Sequence, residues 1–256
     1  MPQTIKLITF SRSPALLAAE EHGLFAREGL TVETDITRGS VEQIRGLLAG
    51  TWDIAHTAAD NVMAYVDRER ADLFVFGVVD LGVGQQLIVR SDVSGYAGLR
   101  GQPLAVDALD TGYAFVLRRM LERNGLAWGS YELVPVGSTP QRLAALREGR
   151  VAGALLSAPP DDATLHVLDV AATYFPLYPG LTLATTRRWA NAHEAELLGY
   201  TRALLDGARA AGAPVPSLEQ AVASLDVVRQ LRQDLTGTTA SLDAYVDLTP
   251  MERAAR

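Results

Sequence analysis

The sequence contains no cysteine, and only one of its 23 basic residues is a lysine. Without cysteine the chain has no disulfide bond, no thiolate metal site and no cysteine nucleophile. Schiff-base catalysis would depend on Lys6 alone, which lies in the first predicted strand, where a solvent-facing structural position explains it. Pyridoxal phosphate enzymes and lysine aldolases are therefore poor candidates.

The sequence also lacks a long apolar run, an excess of basic residues and a secretory leader, and these absences restrict its partners and its location. The 256 residues include no apolar run near the roughly 20 residues of a membrane span, so we expect no membrane-embedded segment. Acidic residues outnumber basic ones by 30 to 23, and the net charge of −7 argues against nucleic acid as a partner. As written, the N-terminus lacks a secretory leader, which predicts a cytoplasmic protein, or a periplasmic or extracellular one if a leader was removed.

Short apolar or β-branched runs alternate with helical patterns, which indicates an α/β fold. The chain also contains an internal repeat: Gly137 follows Gly39 by 98 positions, and Ala154 follows Ala55 by 99, because one residue is inserted. We interpret the repeat as two similar lobes, one formed by residues 1–86 and 184–256 and the other by residues 87–183. A cleft between two such lobes is expected to bind a small ligand.

Several local signals predict where individual elements begin and end. Ser40 with Gln43 is typical of a capping box, and Thr57 is typical of a helix N-cap. The sequence also predicts a short strand at Trp52–Ala55 and one helical segment from about 186 to 212.

A set of short segments occurs in a fixed order over about residues 3 to 190. They are Pro14-Ala15, Gly23-Leu24-Phe25, Glu28 to Glu33, Gly39-Ser40 with Gln43, Leu48 to Ala55, Leu99 to Asp107, and Gly137 to Gly149. Their order resembles the type II periplasmic-binding-protein fold, and more narrowly the nitrate, aliphatic-sulfonate and thiamine-precursor binding proteins of ABC transporters. The resemblance implies two α/β lobes that close on a small ligand, with an ABC permease as partner.

Ligands of open α/β sheets bind beyond the carboxyl ends of the strands, beside helix N-termini. In the first lobe this rule selects Phe10, Ser11, Arg12, Ser13, Gly39, Ser40, His56, Thr57 and Asp80. In the second lobe it selects Asp107, Asp110, Thr111, Gly112, Tyr113, Gly137, Ser138, Ser157 and Asp161. The backbone amides and positive helix ends at such turns favour a carboxylate, sulfonate or phosphate group on the ligand.

Each candidate also has a structural interpretation. Ser13, Ser40, Thr57 and Thr139 are explained as helix caps, and Arg12 is explained either as a solvated loop charge or as an anion-binding group. Asp107 and Asp110 either cap the following helix or favour an amine or hydroxyl groups on a ligand. His56 either forms a hydrogen bond inside its lobe or contacts the ligand as a binding group or general base.

The sequence contains no HxH or HExxH pattern, no complete dinucleotide-binding glycine motif and no GxSxG motif, so we expect neither a metal nor a cofactor. We predict a solute-binding protein that captures a small polar, anionic or zwitterionic organic molecule between two closing lobes. The alternative is a cofactor-independent enzyme on the same fold, of the lyase, dehydratase or decarboxylase type. In that case His56, Asp107 and Asp110 would act as acid and base groups on a small organic acid.

Overall fold

The computed structural model describes residues 2–157 and 161–255. The chain divides into two compact units, one formed by Met1–Leu81 with Leu177–Arg256 and the other by Gly82–Pro176. The chain therefore leaves the first unit once and returns to it once. The sequence places these changes after residues 86 and 183, five and seven positions later in the chain.

Strands and helices alternate through most of the described chain. Numbered in chain order, the strands are β1 (Gln3–Thr9), β2 (Leu30–Ile36), β3 (Ile54–Thr57), β4 (Phe74–Val78), β5 (Gln86–Arg90), β6 (Pro103–Val106), β7 (Glu132–Pro135), β8 (Gly153–Leu156), β9 (Leu165–Val170) and β10 (Thr182–Thr185). The α-helices are α1 (Pro14–Glu21), α2 (Leu24–Arg27), α3 (Ser40–Ala49), α4 (Ala59–Glu69), α5 (Gly112–Arg123), α6 (Thr139–Arg147), α7 (Arg187–Ala192), α8 (Glu194–Ala210), α9 (Leu218–Thr236) and α10 (Thr249–Ala254).

Each unit contains one five-stranded sheet, and the two sheets share one topology. The first sheet has the order β2-β1-β3-β10-β4, in which β1 is parallel to β2 and β3, and β10 is antiparallel to β3 and β4. The second has the order β7-β6-β8-β5-β9, in which β6 is parallel to β7 and β8, and β5 is antiparallel to β8 and β9. The predicted α/β class is confirmed, and the common topology explains the repeat in the sequence.

Burial of apolar side chains explains why these segments form strands and helices. All five residues of β4 are apolar or glycine and all are buried, as expected for a strand covered on both faces. In the first unit Ile5, Phe76 and Tyr200 belong to one core cluster. In the second unit Ile88 and Ala154 belong to another.

The long helix α8 lies very close to α1 at Gly207. A Cβ atom on Gly207 would be 2.3 Å from the carbonyl oxygen of Ala15 and 2.8 Å from the Cβ of Ala19. Only glycine allows the two helices this separation, because any larger residue would displace backbone atoms.

The C-terminal region of the first unit is held by a buried ion-pair network. From α9, the Arg232 guanidinium donates to Asp60 at 2.7 Å and to Asp67 at 3.2 Å, both on α4. The phenol of Tyr245 donates to the other oxygen of Asp67 at 2.5 Å. Val246 then forms a parallel bridge with Val75 of β4, so the C-terminal segment pairs with the edge of the sheet.

Several local predictions differ from the structure. The strand predicted at Trp52–Ala55 begins at Ile54 and continues to Thr57, and the N-cap of α4 is Ala58 instead of Thr57. The N-cap of α3 is Gly39 instead of Ser40. The helical segment predicted for 186 to 212 is divided at His193, whose backbone has a non-helical φ of −135°.

Candidate functional site

All candidates of the first unit follow strands that end at one edge of the first sheet. β1, β2, β3 and β4 run in the same direction, because β10 is antiparallel to both of its neighbours. Phe10 to Ser13 follow β1, and Gly39 and Ser40 begin α3 beyond β2. His56 and Thr57 end β3, and Asp80 follows β4. The structure thus brings these residues to one edge of the sheet.

The turn after β1 is organised by the cap of α1. Ser13 is the N-cap, as predicted, and its hydroxyl oxygen accepts a hydrogen bond from the Leu16 amide at 3.2 Å. The Arg12 guanidinium donates to the Glu20 carboxylate at 3.0 Å on the surface of α1, which corresponds to its interpretation as a loop charge. Phe10 and Ser11 are exposed, and Phe10 keeps 49% of its surface accessible, so its ring is not a core residue.

The turn before α3 uses a different capping arrangement from the predicted one. The Glu42 carboxylate accepts from the Arg38 amide at 2.7 Å and from the Thr37 hydroxyl at 2.9 Å. These two bonds lower the pKa of Glu42. Ser40 is half-buried at the first helical position and does not cap the helix.

Gln43, predicted as a capping-box partner, instead binds the ends of two strands. Its buried side-chain amide donates to the carbonyl oxygen of His56 at 2.9 Å and to that of Ile8 at 3.4 Å. These bonds fix the carboxyl ends of β3 and β1 against the start of α3. Sequence reasoning missed this contact because the Ser-x-x-Gln spacing also fits a capping box.

His56 lies inside the first unit. Its ring is 1% exposed, and Nε2 is 2.8 Å from the phenol oxygen of Tyr200 on α8. Nδ1 has no hydrogen-bond partner within the described residues. Burial lowers the pKa of His56 to about 3, so the imidazole is neutral near pH 7. This environment matches the structural interpretation of His56.

Thr57 and Asp80 connect to the returning strand β10. The Thr182 hydroxyl donates to the carbonyl oxygen of Thr57 at 2.6 Å, and the Thr57 hydroxyl accepts from Asn61 at 3.0 Å. The Asp80 carboxylate accepts from the amide of Leu181 at 2.6 Å. Burial raises the pKa of Asp80, and the bond from Leu181 acts in the opposite direction.

The candidates after β6 form the cap of α5. Thr111 is the N-cap: its hydroxyl accepts from the Ala114 amide at 3.3 Å and donates to the Asp107 carboxylate at 2.6 Å. Gly112 is buried in the first turn, Tyr113 is half-buried beside it, and Asp110 is exposed. Asp107 therefore positions the cap instead of capping the helix itself.

The candidates after β7 and β8 are more exposed. Gly137 has a φ of +97°, which favours glycine, and it precedes Ser138, the N-cap of α6. The backbone amide and hydroxyl of Ser138 both donate to the side-chain oxygen of Gln141, at 2.8 and 2.9 Å. Ser157 and Asp161 are exposed, and residues 158–160 between them lie outside the described residues.

Arg142 is a further residue at the carboxyl ends of β7 and β8, and the sequence did not single it out. It lies on α6 and is only 5% exposed, and its Nε donates to the carbonyl oxygen of Leu155 at 3.0 Å. Its terminal nitrogens donate to the Gly137 carbonyl and, at 3.1 Å, to the Thr139 hydroxyl. Burial lowers the pKa of Arg142, while the nearby Asp107 and Tyr113 raise it. An arginine on a helix is ordinarily exposed, so its type gave no signal.

Two cavities of the first unit are lined by none of the predicted site residues. One, of about 320 Å³, lies between α7, α8 and α10, and the other, of about 240 Å³, lies between α3 and α7. Neither lies at the carboxyl edge of the strands, so the candidate site rests on strand ends and helix starts. Among residues 2–157 and 161–255, no group of three or more histidines and carboxylates could hold a metal ion.

The NMT1-like family model matches residues 4–225. The chain belongs to the NMT1-like family. No curated protein matches the sequence. Within the part of this NMT1-like protein that the structure describes, no helix has the length and apolarity needed to cross a membrane.

Three solved structures illustrate what this NMT1-like chain is similar to. The periplasmic nitrate-binding protein NrtA from Synechocystis PCC 6803 has a TM-score of 0.79 and 12% identity, covering 99% of this chain and 88% of NrtA. The ligand-binding component of an ABC-type import system from Staphylococcus aureus, with zinc bound, has a TM-score of 0.78 and 13% identity, covering 98% and 99%. The desulfurization enzyme DSZB has a TM-score of 0.67 and 12% identity, covering 99% of both chains. The predicted periplasmic-binding-protein fold is confirmed, and at these identities the likeness concerns the fold alone.

Proposed function

We propose that this chain is the solute-binding component of an ABC import system and captures a small anionic or zwitterionic organic molecule. The proposal includes closure of two lobes on the solute, as the sequence repeat and the family resemblance predict. The proposed ligand-binding residues are those selected at the strand ends, except the enclosed His56, with Arg142 added to them.

One observation supports this function most directly. In the second unit, α5 and α6 begin beyond β6 and β7, which are parallel neighbours, so two helix N-termini lie at one edge. Helix N-termini carry free amides and partial positive charge, and they favour anions. The nitrate-binding activity in the name of one structural neighbour is consistent with an anionic ligand.

The partner and the location belong to the same proposal. A structural neighbour is the ligand-binding component of an ABC-type import system, and another is described as periplasmic. We propose that the partner of this chain is the permease of an ABC-type import system. We also propose that the chain lies on the outer side of the membrane that contains this permease. Fractionation of cells that express the native gene tests the location.

The lyase alternative gains no support from the geometry. His56, its proposed base, is enclosed beside Tyr200. Its low pKa would make it a weak base near pH 7. DSZB shows that the fold also occurs in an enzyme, so the test of function includes a measurement of turnover.

Mass spectrometry of small molecules that copurify with the native protein tests the proposed function. A thermal-shift screen with nitrate, alkanesulfonates, carboxylates and amino acids follows, with calorimetry on each hit. We expect one-to-one binding and an unchanged ligand after prolonged incubation. Conversion of a ligand to product, or the absence of binding throughout the screen, would contradict the proposal.

A further inference from the structure

The two units repeat one contact between a helix and a strand end. Gln43 is the fourth residue of α3, and its side chain donates to the carbonyl oxygen of His56, the third residue of β3, at 2.9 Å. Arg142 is the fourth residue of α6, and its side chain donates to the carbonyl oxygen of Leu155, the third residue of β8, at 3.0 Å. Both donors are buried. The same structural task is thus performed once by a neutral amide and once by a cation.

The comparison shows that the contact does not need a charge. A carbonyl oxygen accepts from either donor, and Gln43 binds two strand ends without one. A buried cation costs free energy unless an anion compensates it. The positive charge of Arg142 therefore requires an explanation beyond the strand contact.

The acceptors that Arg142 contacts within the described chain are all neutral. They are two backbone carbonyls, of Leu155 and Gly137, and the Thr139 hydroxyl. No carboxylate of the described residues forms an ion pair with Arg142 within 4.0 Å, although Asp107 acts on it electrostatically from a greater distance. A guanidinium has five N–H groups. These three bonds therefore leave two N–H groups without an acceptor among the described residues.

The position of this charge coincides with the candidate site. Gly137 and Leu155, which accept from the guanidinium, lie at the carboxyl ends of β7 and β8, and the start of α6 is beside it. A guanidinium with free N–H groups binds an oxyanion group by two parallel hydrogen bonds to two of its oxygens. We propose that Arg142 binds the oxyanion group of the solute, a carboxylate or sulfonate. This proposal rests on the proposed function and names the group that the solute must carry.

The repeat itself supplies the test variant. Arg142→Gln places on α6 the residue that makes the equivalent contact on α3, so the strand contact is retained and the charge is removed. Calorimetry and NMR titration with methanesulfonate and acetate, each beside its neutral analogue dimethyl sulfone or acetamide, compare it with the wild-type protein. We expect anion affinity to fall by about 10- to 100-fold, the effect of losing charge-assisted hydrogen bonds. The melting temperature of the unliganded variant should remain close to that of the wild type.

The control is Arg150→Gln, which removes an exposed guanidinium, paired with Glu148, just beyond the C-terminal end of α6. This control should bind both anions as the wild type does. If Arg142→Gln also binds them as the wild type does, Arg142 is not the anion ligand, while the solute-binding function remains. If the wild type binds neither anion, the assignment of Arg142 is also overturned. The solute-binding function itself is overturned by failure throughout the wider solute screen or by conversion of a ligand to product.

A second measurement observes the contact between Arg142 and the anion in the wild-type protein. In wild-type protein labelled with ¹⁵N at arginine, the Nε–H signal of Arg142 should shift on addition of methanesulfonate and not of dimethyl sulfone. Arg142→Lys provides the assignment of this signal by its disappearance. An Arg142 signal unaffected by saturating anion would overturn the proposal.

Discussion

At the scale of single residues, His56 determines part of the pH dependence of folding stability. Its folded-state pKa of about 3 lies below the ordinary value of 6.5, because the ring is buried. Between these values the unfolded chain binds a proton that the folded chain does not bind. The stability from the neutral His56 is therefore complete above pH 6.5 and is lost as the pH falls toward 3.

Replacing His56 should reduce the pH dependence of the free energy of unfolding. Between pH 7 and pH 5 we expect the wild-type free energy of unfolding to fall by about 2 kcal/mol more than that of His56→Gln. Urea denaturation at each pH measures the difference. Tyr200→Phe is the control: it should be less stable at both pH values but keep the wild-type slope, because burial lowers the pKa. Equal slopes for His56→Gln and the wild type would contradict the pKa assigned to the buried ring.

Single residues also show what the sequence could and could not reveal. Ser13 is recognisable as an N-cap because its type and its position before Pro14 and a helical pattern are sufficient signals. For the second unit the sequence favours Asp107, Asp110 and Thr139 as caps, whereas the N-caps of α5 and α6 are Thr111 and Ser138. The importance of Arg142 depends on burial, which its residue type does not encode. Alignment of the repeat at the offset of 99, which pairs His56 with Leu155, would have paired Gln43 with Arg142 and suggested the contact.

At the scale of secondary structure, α9 depends on one ion-pair network. The side chains of Arg232 and Asp60 are 4% and 3% exposed, and Arg232 also contacts Asp67. Burial acts to lower the pKa of Arg232, but the two carboxylates raise it further, so the guanidinium remains charged. Removal of one member of a buried pair costs about 3 to 5 kcal/mol in other proteins.

We expect Arg232→Met to lose a similar amount of stability, about 3 to 5 kcal/mol. Chemical denaturation measures the loss, and limited proteolysis should show earlier cleavage within α9. The matched control on the same helix is Arg229→Gln, which removes the pair with Asp226 near the surface and should cost less than about 1 kcal/mol. Similar losses for the two variants would show that the buried network does not hold α9.

Element boundaries were predicted less accurately than element types. The sequence predicts the start of β3 two residues too early, because the aromatic Trp52 favours an extended backbone, whereas pairing with β1 begins at Ile54. The interruption at His193 was missed because the residues around it are good helix formers. In both cases tertiary contacts fix the boundary, and local propensity does not report them.

At the scale of the whole molecule, the two segments that connect the units are joined to each other within the first unit. Asp80 accepts from the Leu181 amide through its carboxylate and from the Gly180 amide through its carbonyl, and Leu81 forms a bridge with Pro179. Burial raises the pKa of Asp80, so the folded chain gains stability from this group as the pH falls through its raised pKa.

Two substitutions of Asp80 separate its charge from its hydrogen bond. Asp80→Asn keeps an oxygen for the Leu181 amide and should be at least as stable as the wild type at pH 7. Asp80→Ala should lose about 1 to 2 kcal/mol and exchange the Leu181 amide hydrogen faster, because the acceptor is removed. Urea denaturation measures the stability of each variant, and hydrogen exchange followed by NMR measures the protection of the Leu181 amide. Equal protection of this amide in the two variants would contradict the hydrogen-bonding function of Asp80.

The overall architecture was the most predictable property of the chain. The alternation of strands and helices recurs along the chain, and the segment that begins at Gly39 has a second copy that begins at Gly137, so the fold class does not depend on any single local signal. The ligand was not predictable, since turns that cap helices and turns that bind anions use the same residue types; Ser138, which the sequence selects as a ligand-binding candidate, is the N-cap of α6.

The position of β10 between β3 and β4 has a consequence for biosynthesis. The N-terminal 81 residues lack one interior strand of their own sheet, the strand that joins β4 to β3, whereas residues 82–176 include all five strands of theirs. On the ribosome, the second unit should therefore become protease-resistant before the first, although it is translated later. Stalled nascent chains digested at successive lengths would reveal this order, in which the earliest part of the polypeptide must wait for one of its last strands.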